Sequence, residues 1–306
     1  MQIKDNYLKR NSVRITIVKI AVTVLVIVFI SDKFQSERID IGNIKWPKNF
    51  PIHLVWVFGS MILNWSLEAI RWRISILVFE TISFKESLRI VLGGLALNWI
   101  FPFASGDALI RLITIKDKYQ TTSAILTNRG IMLTITSIFG FFSLWVYSKR
   151  FLYINYVVLM IVFVLSIILW LFRRKISKFL FYFSKVGKKE IATLSMLSVL
   201  RYLVFVVQFF FLFKLFLPEI SNKVLIVGIG CIFFFKSVIP SFFGGVGVRE
   251  TIGILFFSKH SHDISLVVTP VFVIWIINNA IPSLIGLIGL NRIYSPNQSI
   301  LFTERT

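Results

Sequence analysis

The sequence predicts an all-α polytopic membrane protein, with six full spans plus two inverted Pro/Gly-broken hairpins forming a single integral membrane domain over residues 1–306. Three observations carry that prediction. Of the 306 residues, 56% are hydrophobic and only 16% are charged, with a mean hydropathy of +0.81, whereas a soluble domain carries about 25% charge. Charge-free runs reach 18 residues at Ile131 to Ser148, 20 at Tyr153 to Phe172 and 27 at Ile264 to Leu290, and about 20 helical residues cross a hydrocarbon core. Two further apolar regions are each interrupted by a proline followed by glycines. The runs are continuous rather than alternating, which excludes a membrane barrel.

Taken in order, the first element is an apolar run from Ile15 to Ile30 behind Lys4, Lys9, Arg10 and Arg14. It reads as an uncleaved first span with its N-terminus in the cytoplasm. A second span covers about Ile52 to Ile70 and ends in Arg71, Trp72 and Arg73. Further spans lie near Thr121 to Tyr147, Leu152 to Phe172, Ile191 to Leu217 and Ile264 to Leu290. The region from about Phe84 to Lys118 is broken at Phe101-Pro102-Phe103-Ala104-Ser105-Gly106. The region from about Val224 to Lys259 is broken at Ile239-Pro240 through Gly247. Proline removes a backbone donor and glycine favours non-helical dihedrals, so each region should be two helical pieces around a break.

Charge decides whether these regions cross or return. The segment Arg173 to Lys189 holds seven Lys and Arg. Treating both regions as hairpins places it inside and brings the basic residues inside to 20 of 34, its own seven included, as the positive-inside rule prefers. The first hairpin then enters from the cytoplasm and the second from outside, with both termini cytoplasmic. Pro102, Gly106 and Arg111 repeat their spacing as Pro240, Gly244 and Arg249, which reads as an inverted repeat around a central site. The segment Arg173 to Lys189 also suits either a helix on the inner surface or a plain solvated loop.

The net charge of +20 fits cytoplasmic loops and anionic headgroups rather than nucleic acid. The lone Cys231 forms no internal disulfide, and His260 and His262 beside Asp263 read as a solvated loop. No metal cluster, cofactor motif or catalytic motif is found. Asp107 and Glu250 each sit near an arginine, an arrangement that favours salt bridges over proton transfer.

Ionisable residues inside spans are costly and mark function. Arg129 and Arg201 approach the midplane of theirs, while Asp107, Arg111, Lys236, Arg249 and Glu250 flank the breaks and Glu68 lies near the inner end of the second span. These are five positive and three negative groups, an excess that an anionic ligand would balance. Asp107 and Arg111 share a helix face. They serve either as a pair holding the bend or as part of a site in which the amides at Gly106 and Asp107 attract phosphate. The stronger phosphate candidate is Gly244-Gly245-Val246-Gly247 followed by Arg249-Glu250, a glycine nest beside a two-pronged donor.

The pattern from Asn98 through Pro102, Gly106, Asp107 and Arg111, the later Arg129, and Pro240 through Gly244, Gly245, Gly247, Arg249 and Glu250 resembles the membrane region of the lysylphosphatidylglycerol synthase family. Asn64-Trp65 through Arg71-Trp72 is similar to that family's second span. The resemblance implies a stand-alone, flippase-like bacterial membrane protein, without the aminoacyl-transferring domain, that moves a lipid with a phosphate-containing, anionic headgroup between leaflets. Headgroup phosphate would be held by Arg111, Arg129, Arg201 and Arg249, with Asp107 and Glu250 as gating or ammonium partners. The chain departs from the family with Asp107 for the usual Glu and Asn128 for a Glu before Arg129. It also lacks the Asp that usually follows soon after, which implies a different charge balance. Two other classes stay open: a scaffold or accessory subunit serving a separate transferase of envelope lipid or polysaccharide synthesis, and an integral polyprenyl-phosphate transferase.

Overall fold

The computed structural model describes residues 46–99, 101, 105–147, 186–239, 248–257 and 263–293. The spans expected at 15–30 and 152–172, most of the basic segment 173–189, the break at 240–247 with its three glycines, and the loop carrying His260 and His262 lie outside them. The described residues are helical throughout: α1 (Phe50–Ile76), α2 (Phe84–Leu97), α3 (Ser105–Thr114), α4 (Lys118–Tyr147), α5 (Lys188–Phe216), α6 (Asn222–Val238), α7 (Val248–Phe257), α8 (Ile264–Trp275), a π-helical turn (Ile276–Ala280) and α9 (Ile281–Ile293).

Four of these segments are long and apolar enough to cross a membrane: Phe50–Ile76, Lys118–Val146, Lys188–Phe216 and Ser265–Leu287. Their outward faces carry exposed Ile52, Val55 and Ile62 on α1, Ile138, Phe142 and Trp145 on α4, and Leu284 and Ile285 on α9. Such surfaces suit acyl chains, and the chain is built as a helical membrane protein.

Helix ends follow local chemistry. Ser83 and Glu86 form a reciprocal capping box that starts α2, with the Glu86 amide donating to Ser83 Oγ at 3.2 Å and the Ser83 amide to Glu86 Oε2 at 2.7 Å. Asp117 Oδ1 accepts from the amides of Tyr119 and Gln120 ahead of α4, both at 3.0 Å. Ser221 and Asp263 cap α6 and α8. The second span runs six residues beyond its expected end at Ile70. Arg71, Trp72 and Arg73 are therefore helical, and Arg71 and Trp72 are buried rather than at the membrane surface.

Close packing depends on small residues. α1 and α5 run antiparallel: Gln208 Nε2 donates to the Val57 carbonyl at 2.9 Å, Arg201 reaches Asn64 and Glu68, and the Phe50 and Phe216 rings meet at 5.9 Å. α4 and α6 are also antiparallel, because an added methyl at Gly140 would strike Phe234 and one at Gly230 would strike Ser143. α2 and α3 fold back on each other across the first break, where Gly106 rests on the Leu97 backbone and Gly94 on Asp107. α6 and α7 pack likewise, through Gly228 against Phe257 and Gly253 near Ile232. α9 lies on α2, with Gly286 against the Leu92 carbonyl. This use of glycine at helix contacts is the usual substitute for a hydrophobic driving force in lipid.

Beyond the middle of the bundle, toward the end where α5 stops, aromatic rings fill the core. Phe139 stacks on Tyr202 at 4.6 Å, Phe233 touches Tyr202, Phe205 and Phe209, and Phe213 meets Phe257 at 4.9 Å. Charged residues occupy the adjoining layer, near the midpoints of α4 and α5.

Candidate functional site

Glu68 lies at the centre of that layer. Asn64, Glu68, Arg71 and Ser75 recur at helical spacing along α1 and all four are buried. The Glu68 carboxylate accepts from three guanidinium groups: Arg71 Nη1 to Oε2 at 2.6 Å, Arg201 Nη1 to Oε2 at 2.5 Å, and Arg111 Nη2 to Oε1 at 3.0 Å. The three arginines come from α1, α5 and α3.

Each arginine has a second anchor. Arg71 Nη2 donates to the Asn128 carbonyl at 3.1 Å and to Asn128 Oδ1 at 3.3 Å, while Asn128 Nδ2 donates to Ser75 Oγ at 2.6 Å. Arg111 Nε donates to Asp107 Oδ1 at 2.8 Å, and its Cζ lies 4.4 Å from the Trp72 ring centroid. Arg201 Nε donates to Asn64 Oδ1 at 2.9 Å, with Trp65 at 5.2 Å and Phe205 at 5.7 Å from its Cζ. Asparagines and aromatic faces thus fix planar guanidinium groups that carboxylates alone would leave free to pivot.

Asp107 links this group to α4. Its Oδ1 is held by Arg111, and its Oδ2 lies 3.7 Å from Arg129 Nη2. Asn98, expected in the site, lies beside Asp107: its Oδ1 accepts from the Asp107 amide at 2.9 Å. That amide is therefore committed to a protein acceptor, and Gly106 serves close packing against Leu97. Arg129 is the accessible member, with 44% of its side chain exposed against 4% for Arg111 and 12% for Arg201.

Lys236 and Arg249 belong to the second broken region. Arg249 and Glu250 are both buried on α7, and Lys236 near the end of α6 is close enough to Arg249 and Arg201 to feel both charges. Arg201 thereby connects the two regions. Gly244, Gly245 and Gly247 lie outside the described residues.

Glu68 and Arg71 mark what sequence reading underweighted. Glu68 reads as a charge near the inner end of a span and Arg71 as the basic residue that stops it, yet together they form the centre of the layer. The polar stripe at 64, 68, 71 and 75 within an apolar run was the signal available. Around it, Asn64 Nδ2, Trp65 Nε1, Arg71 Nε and Trp72 Nε1 are buried donors with no acceptor among the described residues. The layer is rich in donors and poor in acceptors. No family model, no curated protein and no solved structure matches the chain.

Proposed function

We propose that the protein translocates a membrane lipid with an anionic, phosphate-containing headgroup between leaflets, using the charged layer as the headgroup site. One observation carries this reading: Arg71, Arg111, Arg129, Arg201, Lys236 and Arg249 outnumber Glu68, Asp107 and Glu250 by six charges to three, at the level of the membrane-spanning helices. Uncompensated charge at that depth is costly, and a phosphate matches arginine geometry. The carboxylate oxygens of Glu68 and Asp107 all lie beside arginines, so neither is placed as a partner for an ammonium group. That favours a plain anionic headgroup over a zwitterionic or cationic one.

The same reading includes six full spans plus two hairpins, the first from the cytoplasm and the second from outside, in a cell membrane with both termini inside. It retains the resemblance to lysylphosphatidylglycerol synthase membrane regions as a guide to mechanism. The antiparallel registers of α1 with α5 and of α4 with α6 fit that order. Cysteine labelling tests the orientation. In a Cys231→Ser background, Lys48→Cys before α1 is expected to react with an impermeant thiol reagent in intact cells, and Lys188→Cys at the start of α5 only after the cells are opened. Labelling of both from one side would overturn the topology.

Purified protein in vesicles carrying fluorescent phosphatidylglycerol is expected to accelerate loss of the inner-leaflet signal, which impermeant dithionite reaches only after the lipid has crossed. Lys236→Gln removes a half-buried cation that has no hydrogen bond or ion pair with any described residue, so it should slow that rate about tenfold, the equivalent of about 1.4 kcal/mol of barrier, while leaving the melting temperature unchanged or raised. Equal rates with and without protein would refute translocation.

A further inference from the structure

We propose that Arg71, Arg111 and Arg201 form a preorganised oxyanion cage, and that the Glu68 carboxylate occupies it as a tethered stand-in for the phosphate of an incoming lipid. The proposal deepens the translocation reading and rests on it for the source of the phosphate. A simple ion-pair knot would have arginines oriented by the carboxylate they bind. These arginines are oriented by other groups: Asn128 for Arg71, Asp107 and Trp72 for Arg111, and Asn64 and Trp65 for Arg201. Removing Glu68 from the centre would leave each guanidinium still held.

The donor count points the same way. Three guanidinium groups converge on a carboxylate with two oxygens and a single charge, and a phosphate brings more acceptor oxygens. Asn64 Nδ2, Trp65 Nε1, Arg71 Nε and Trp72 Nε1, all on the two turns of α1 around Glu68, find no acceptor among the described residues. Buried donors are ordinarily satisfied, so four unpaired ones within nine residues of the helix that carries Glu68 fit an occupant with more acceptors than Glu68 supplies.

Access is unequal around the cage. Arg71 and Arg111 side chains are 2% and 4% exposed, whereas Glu68 and Arg201 are 10% and 12% exposed. Glu68 and Arg201 therefore form the open edge, and Lys236 lies within electrostatic reach of Arg201. A headgroup entering at that edge would meet Arg201 and displace Glu68 from the same side. Glu68 would then act as a competitor that offsets part of the arginine charge between lipids and sets a threshold for what enters. Only an anion that binds more strongly than the tethered carboxylate would exchange with it.

The test uses Glu68→Ala and Glu68→Gln in the full chain, purified with inorganic phosphate present throughout and then exchanged into phosphate-free buffer. Melting curves are followed against inorganic phosphate, and retention of phosphatidylglycerol is followed by native mass spectrometry. The cage predicts that both variants bind inorganic phosphate roughly tenfold or more tightly than wild type, since unpaired buried arginines gain a partner. Added phosphate should raise their melting temperatures and leave that of the wild type nearly unchanged. Adding Arg201→Gln should cancel the gain. Equal phosphate affinity in wild type and both variants would overturn the proposal, as would failure of both to fold even with phosphate present. Gain of inorganic phosphate without gain of phosphatidylglycerol would also overturn it, by assigning the cage to the free ion. The translocation reading fails separately: variants that gain lipid affinity, with a wild type inactive in vesicles, would keep the cage and remove the transport role.

Discussion

Arg71→Ala is expected to be the most damaging single substitution in the charged layer, lowering stability by about 3–5 kcal/mol, the usual cost of breaking a buried ion pair from one side. Its side chain is 2% exposed and joins Glu68 on its own helix to Asn128 on α4. The substitution strands the Asn128 acceptors, leaves a void beside Trp72 and removes one of three cations from Glu68. Arg71→Lys should recover little, since one ammonium cannot serve Glu68 and Asn128 in the two directions a guanidinium spans. The comparison that gives the result meaning is Arg129→Ala. Arg129 is 44% exposed and lies 3.7 Å from Asp107, so its loss should change stability by less than about 1 kcal/mol while impairing lipid movement. Melting curves in detergent, read beside the vesicle assay, separate the two. Equal destabilisation by both variants would mean that the layer is a uniform structural knot.

A large effect is also expected from a single methyl group. Gly286→Ala should destabilise by about 3 kcal/mol, at the upper end for overpacking, because the new Cβ would fall on the Leu92 carbonyl and within 2.5 Å of its carbon. Backbone cannot rotate away as a side chain can, so α9 would have to lift from α2 and break the 3.0 Å hydrogen bond from Trp99 Nε1 to Ser283 Oγ. Gly59 and Gly130 provide the internal control. No described residue lies within 4 Å of a Cβ built at either, and alanine is favoured over glycine in a helix by about 1 kcal/mol. Gly59→Ala and Gly130→Ala should therefore raise the melting temperature or leave it unchanged. If Gly286→Ala behaves as they do, the close approach of α2 and α9 is wrong.

Hydropathy alone located the four apolar segments, because a chain in lipid must satisfy its backbone within each helix and the required length is fixed by bilayer thickness. Breaks at Pro102 and Pro240 were equally legible, and the flanking helices α2, α3, α6 and α7 lie where proline and glycine divide them. What stayed hidden was which face of each helix turns inward. The residue count around Arg71 is the same whether the arginine ends a span or lies inside one, and only the packing of α3, α4 and α5 onto α1 decides. Asn98 shows a second thing the sequence did not carry: its Oδ1 accepts from the Asp107 amide, a contact within the fold that spacing alone does not reveal. Pro270 and the π-helical turn also passed unnoticed, since an apolar run reads the same in either helical form.

That turn bears on the phase of the last described span. A π-helical turn holds one residue more than the α-helix it interrupts, and each α-helical residue turns the following surface by about 100°. Absorbed in the wide turn at Ile276–Ala280, the surplus residue leaves the helical surfaces on either side in phase. Asn278 within it donates to Gln208 Oε1 at 2.6 Å, so the irregular turn is tied to α5 rather than left to slide along the helix. On one side of the turn α8 packs against α5 and α7, and on the other Gly286 of α9 rests on the Leu92 carbonyl of α2. The wide turn thus acts as a phase adjuster that lets the two halves of the last described span each keep their own neighbours.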